Sequence, residues 1–124
     1  MRKFIIDTDT GSDDASAIMM AIASPDVEIL GITTLAGNIS LEQATKNALQ
    51  TLEICGEDIK VYPGAAAPIR RPLVMADGVH GKDGMGDQGL IHPTRTAETK
   101  HAVDFIVETA RKYPGEVEIV ALGP

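Results

Sequence analysis

Short runs rich in β-branched and apolar residues alternate along this chain with longer stretches of helical spacing, and few architectures accommodate that alternation. Phe4-Ile5-Ile6 is a buried first strand, ended by a polar, glycine-containing loop. From Asp13 the pattern turns helical. Ala17, Met20, Ala21 and Ser24 fall at helical spacing, and Ser24-Pro25-Asp26 stops the run. Val27 to Thr34 is dense in β-branched residues and forms a second strand. Ser40 and Gln43 make a capping box for a helix from Leu41 to about Ile54, with Gly56 as its C-terminal stop. Ile59 to Tyr62 is a short third strand. A helix from about Glu98 to Lys112 carries Ala102, Phe105, Ile106, Thr109 and Ala110 on one face, and Val117 to Leu122 is a fourth strand. Pro63 to about Pro93 is rich in Gly and Pro without sustained periodicity. A loop of that length inside a compact domain is usually functional.

Strands alternating with helices imply right-handed βαβ units. The expected fold class is therefore α/β: an open, mostly parallel Rossmann-like sheet flanked by helices, with strand order 3-2-1-4. The order reverses between the first and fourth strands, and ligands of such folds bind beyond the strand C-termini at that point. Two segments meet there, the acidic loop after Ile6 and the tail Ala121-Leu122-Gly123-Pro124. Position alone nominates the acidic loop as the active site.

The chain has 124 residues, enough for one domain, and no internal repeat or linker divides it. Aromatic residues are only 3%, so Ile, Val, Leu, Ala and Met must build the core. A formal charge of −7 argues against a nucleic-acid partner, which needs clustered Lys and Arg, and favours a neutral or cationic ligand or a metal ion. Cys55 is the only cysteine, which excludes an intrachain disulfide and points to a reducing, cytoplasmic setting. The apolar run after Met1-Arg2-Lys3 stops at Asp7, and no stretch approaches membrane-spanning length.

Asp7, Asp9, Asp13 and Asp14 place four carboxylates within eight residues. At about 4 Å and an effective dielectric near 20, each like-charged pair costs roughly 4 kcal/mol. Several such pairs rival a whole domain's stability of about 5–15 kcal/mol. A helix N-terminus recovers at most about 1–2 kcal/mol for Asp13 or Asp14. A divalent cation offsets far more, and an all-oxygen donor set favours calcium or magnesium over zinc. For one Asp, capping and solvation would suffice as an explanation; for four on a switch-point loop, a metal site is the better one. An EF-hand is excluded, because it needs glycine at its sixth position and Gly11 is fifth from Asp7. Asp7-Thr8-Asp9 also satisfies the Asp-x-Asp of haloacid-dehalogenase phosphohydrolases. Asp13 and Asp14 are superfluous to that chemistry, and so much negative charge repels a phosphate dianion. That reading is the runner-up.

Three segments resemble the inosine-uridine nucleoside hydrolase family. Asp7-Thr8-Asp9-Thr10-Gly11-Ser12-Asp13-Asp14-Ala15 is similar to its signature DxDxGxDDA. Gly31-Ile32-Thr33-Thr34-Leu35-Ala36-Gly37-Asn38 is similar to its second strand and the Asn that follows. Val79-His80-Gly81-Lys82-Asp83-Gly84-Met85-Gly86 is similar to its HGxxGMG loop. The resemblance implies calcium-dependent hydrolysis of the N-glycosidic bond of ribonucleosides to ribose and free base, within nucleoside salvage. By the same resemblance Asp9 ligates calcium and is the general base, Asp14 ligates calcium with both oxygens, and the Leu122 backbone carbonyl is a further ligand. Asp13 and Asn38 bind ribose, and Asp7 supports the ligands without touching the metal. His80 stands between a role at the substrate's edge and one in stabilising its loop, while His92 and His101 show no ligating pattern. Arg70-Arg71 is a solvated surface pair.

Family members continue well past the equivalent of Pro124. Residues 1–124 are therefore expected to be the N-terminal portion of one nucleoside hydrolase domain, whose remainder supplies another acidic ligand, the group assisting the leaving base and most of the substrate preference. An inactive, metal-binding remnant is the non-enzyme alternative. The apolar fourth strand, left at the sheet edge, points to a homo-oligomer.

Overall fold

The computed structural model describes residues 1–124 except Asp77, Val79, His80, Gln88 and Leu90. Four parallel strands lie in the order β3-β2-β1-β4, as the alternation implies: β1 (Arg2–Thr8), β2 (Val27–Thr34), β3 (Val61–Pro63) and β4 (Val117–Ala121). Between them run α1 (Ser12–Ala23), α2 (Leu41–Cys55) and α3 (Ala102–Lys112). Among the described residues no helix is long and apolar enough to cross a membrane.

The pleat sends alternate residues to opposite faces of the sheet. Ile6, Ile32 and Val61 lie in register across three strands and pack with Ile18 of α1 and Ala48, Leu49 and Leu52 of α2. Gly31 and Tyr62 occupy the other face, where the Tyr62 ring stacks on Phe105 of α3 at 3.9 Å and 9°. The β1–β2 register jumps from Phe4↔Ile29 to Ile5↔Gly31, skipping Leu30. That irregularity sets Asp7 opposite Thr33 and Thr8 opposite Thr34 at the strand ends.

Helix α2 begins as its sequence implies. The Ser40 side chain accepts from the Gln43 backbone N–H at 3.2 Å, and Gly56 ends the helix at φ +69°, where only glycine is unstrained. The Gln43 side chain does not complete the box; it donates to Asn47 Oδ1 at 2.9 Å.

The faces and bounds of two helices are set by packing rather than by spacing. In α1 the inward face is Asp14, Ala15 and Ile18, with Ala21 and Ile22 beside the core, while Met20 is 71% exposed. Helix α1 is apolar on several sides, so spacing alone did not select its buried stripe. Helix α3 starts at Ala102, not near Glu98, because the His101 ring Nδ1 accepts from Val103 N–H at 3.1 Å and caps it. The Glu98 N–H is already taken by the Val61 carbonyl at 2.8 Å. Ala110, grouped by spacing on one face with Ala102, Phe105 and Thr109, is exposed while those three are buried.

Candidate active site

Strand β1 delivers the acidic loop to the C-terminal edge of the sheet, and the loop's carboxylates then separate by direction. Asp7 shares its face with its β2 partner and accepts from the Thr33 hydroxyl at 2.6 Å. Thr8 points to the opposite face, is fully buried, and donates to Asp14 Oδ2 at 2.7 Å. Its hydroxyl also lies 3.2 Å from that of Thr10. Asp14 is thus held by the strand it follows.

Asp9 is 4% exposed and Asp14 8%, which is unusual for carboxylates. Asp9 Oδ2 accepts from the Asn38 backbone N–H at 2.8 Å. Gly37 lies so close that a Cβ there would stand 2.3 Å from Asp9 Oδ2. The Asp9 and Asp14 side chains meet. Burial pushes the Asp14 carboxyl up to about 6, against the lowering effect of the Thr8 hydroxyl. The neighbouring carboxylate of Asp9 and the negative charge of Asp13 raise it further. Such a pair is relieved by a shared proton or by a cation, and its all-oxygen donors fit calcium or magnesium. Among the described residues no group of three or more His, Cys, Asp or Glu side chains converges on one point. Two buried carboxylates are fewer oxygens than the roughly six to eight that calcium takes.

Asp13 sits exposed in the first turn of α1, outside the buried pair. Asn38 comes to Asp9 through its backbone. Leu122 lies at the end of β1, where its N–H donates to the Asp7 carbonyl at 2.8 Å, so the tail and the acidic loop adjoin as the strand order requires. His80 lies outside the described residues.

Several residues the motif does not mark complete the arrangement. Thr33 holds Asp7, Thr8 holds Asp14, Gly37 makes room for Asp9, and Asn47 of α2 holds the loop's backbone by donating to the Thr10 carbonyl at 2.8 Å. Thr8 alone was accessible from the sequence, since strand alternation sets it on the face of Ile6 and hence toward α1.

A parallel α/β sheet with two buried carboxylates at its switch point defines the class of open α/β proteins that bind ligands beyond their strand C-termini. Comparison narrows that class. The model of the inosine-uridine preferring nucleoside hydrolases matches residues 4–124, and the chain belongs to that family. It is 49% identical over 124 residues to uridine nucleosidase 1 of Arabidopsis thaliana, covering 98% of this chain and 37% of that protein. It is 41% identical to the pyrimidine-specific ribonucleoside hydrolase RihB of Escherichia coli strain SE11, covering 99% and 39%. Among solved structures, the purine-preferring ribonucleoside hydrolase from Gardnerella vaginalis superposes with a TM-score of 0.93 at 37% identity, covering 99% of this chain and 40% of that one. The chain thus spans about two-fifths of the length of these relatives. Membership also decides against the phosphohydrolase reading of Asp7-Thr8-Asp9.

Proposed function

We propose that residues 1–124 are the N-terminal portion of a calcium-dependent nucleoside N-ribohydrolase and carry its metal-binding and water-activating residues. The observation behind this reading is that Asp9 and Asp14, two carboxylates of the loop that leaves β1, are both buried. Asp9, Asp14 and the Leu122 carbonyl would hold the cation, with further ligands from the rest of the protein. Calcium, when bound, supplies positive charge that orients a ribose and acidifies a nearby water.

The remaining chemistry falls to side chains of this chain. Asp9, fixed by the Asn38 N–H, accepts a proton from the attacking water. The water oxygen bonds to the anomeric carbon as the bond from that carbon to the base nitrogen breaks. The base keeps the bonding electron pair and takes a proton from the leaving-group assistant expected in the remainder of the protein. The sugar passes through oxocarbenium character, as in other glycoside cleavages, and the loop's carboxylates stabilise that developing positive charge. Asp13 and Asn38 bind the ribose hydroxyls, and Asp7 with Thr33 braces the strand end. The substrate is a ribonucleoside, consistent with the relatives' names, and purine or pyrimidine choice is assigned to the region beyond Pro124.

Thermal melts of the chain in chelator and then in excess calcium test the metal assignment. A ligand bound by the native state alone at about a hundredfold its Kd adds about 2.7 kcal/mol of stability. An unchanged melting temperature would sink it. Release of free base from inosine and uridine by the full-length protein tests the reaction, and absence of base release would refute it.

A further inference from the structure

Asn47 is a fully buried carboxamide on the inward face of α2, between Ala44 and Ala48. An Asn there costs desolvation that Leu or Ala would not. Every polar atom of its side chain is engaged, and the partners come from different parts of the chain. Oδ1 accepts from Gln43 Nε2 on its own helix. The two Nδ2 protons diverge, one to the Thr10 carbonyl at 2.8 Å and the other to the Asp83 carbonyl at 2.6 Å. Thr10 lies between Asp9 and Asp13 in the acidic loop, and Asp83 lies in the glycine-rich segment 81–87. One amide therefore bridges two loops that are far apart in sequence.

The neighbouring contacts make this bridge specific. The Gly84 carbonyl accepts from Ser12 N–H at 3.0 Å, satisfying a free donor in the first turn of α1, which carries Asp13 and Asp14. Gly84 itself has φ +71°, and a Cβ there would stand 2.9 Å from Ile39 Cδ1. The segment 81–87 is further organised by Asp83, whose carboxylate accepts from the Met85 and Asp87 N–H groups at 2.8 and 2.9 Å. It is a structured turn pressed against the helix that presents two of the acidic residues. A side chain with only one donor cannot span both carbonyls, and an apolar one would strand both.

We propose that Asn47 is a positioning residue that couples the acidic loop to the 81–87 segment, so that a divalent cation bound at the first tightens the second. The coupling through Asn47 stands on the hydrogen bonds alone; its response to a cation rests on the calcium reading above. Coupling of this kind is reciprocal, so order in segment 81–87 strengthens cation binding by the same factor.

Hydrogen exchange on the full chain, comparing wild type with Asn47→Ser, separates the two parts. Without metal, the variant should exchange about tenfold faster at the amides of Ser12 to Ala15 and of Met85 and Asp87 together, while the β2 amides keep their protection. Loosening of only one segment, or of neither, overturns the coupling. If β2 loses protection as well, Gly84→Ala decides the matter. Its displaced 81–87 segment should loosen Ser12 to Ala15, and an unmoved acidic loop would overturn the proposal. With calcium, wild type should slow in both segments, whereas Asn47→Ser should slow only in the acidic loop and bind calcium about tenfold more weakly. Calcium protection of 81–87 that persists in the variant overturns the coupling. Calcium without effect on the wild-type acidic loop refutes the metal reading instead, and the metal-free comparison still decides the role of Asn47.

Discussion

A methyl group added at Gly37 would collide with the side chain assigned as general base. Its carbon would lie 2.3 Å from Asp9 Oδ2 and 2.8 Å from Asp9 Cβ. Gly37→Ala should therefore abolish the calcium-dependent rise in melting temperature although no ligand is altered; a full calcium response would show that Asp9 moves aside at no cost. Asp9→Asn separates binding from proton transfer, because Asn is nearly isosteric but cannot accept the proton. In the full-length enzyme its kcat should fall about 10²–10⁴-fold, and more than substrate affinity does; near-normal turnover would leave Asp9 as a ligand at most. Asp14 carries a pH signature. Its carboxyl is raised from 3.8 to about 6, so the folded state holds a proton that the unfolded chain has released. Its contribution is intact below about pH 4 and is lost as pH climbs through 6, so metal-free melting temperatures should decline across that window. Calcium requires the carboxylate and should flatten or reverse the slope; identical slopes with chelator and calcium would contradict the assignment. The acidic positions were legible in the sequence because four like charges on one loop need an explanation. Gly37 and Asn47 were not, since their contacts cross about thirty residues or more and leave no local pattern.

Elements and their order were readable from period and punctuation: β-branched runs, the Ser40 cap, the Gly56 stop. What periodicity could not supply was the choice of face where a helix is apolar on several sides, as Met20 in α1 shows, or a start set by a tertiary partner, as at His101. The packing of α3 on the sheet is equally non-local. The Phe105 ring sits against Gly31 of β2, where a Cβ would stand 2.5 Å from Phe105 Cζ and 3.1 Å from Tyr62 Cε2. Gly31→Ala should destabilise the fold by about 1–3 kcal/mol through overpacking. Phe105→Leu in that background should recover part of the loss. Chemical denaturation of the two variants checks this, and an unaffected Gly31→Ala would mean that the aromatic stack slides freely.

At the scale of the whole molecule, the sheet ends on one side at β4, where Ile119 is 52% exposed. An apolar outer strand offers unpaired backbone groups to another chain. The 124-residue chain alone should associate in light scattering, and Ile119→Lys should shift it toward monomer; a monomeric wild type would contradict this. It should also release no base from inosine or uridine, since it spans about two-fifths of its relatives. Robust turnover would show the present residues to be sufficient. The same topology has a consequence during synthesis. Strand β1 pairs on one side with β2, close behind it in the chain, but its other neighbour is β4, reached only at Val117. A ribosome adding about 5–20 residues per second leaves roughly 4–17 seconds between the emergence of Thr34 and that of Val117. Through that interval Ile5 and Ile6 would wait on a half-made sheet, exposed to any nascent strand nearby. That waiting time is set by the order in which the ribosome delivers the strands.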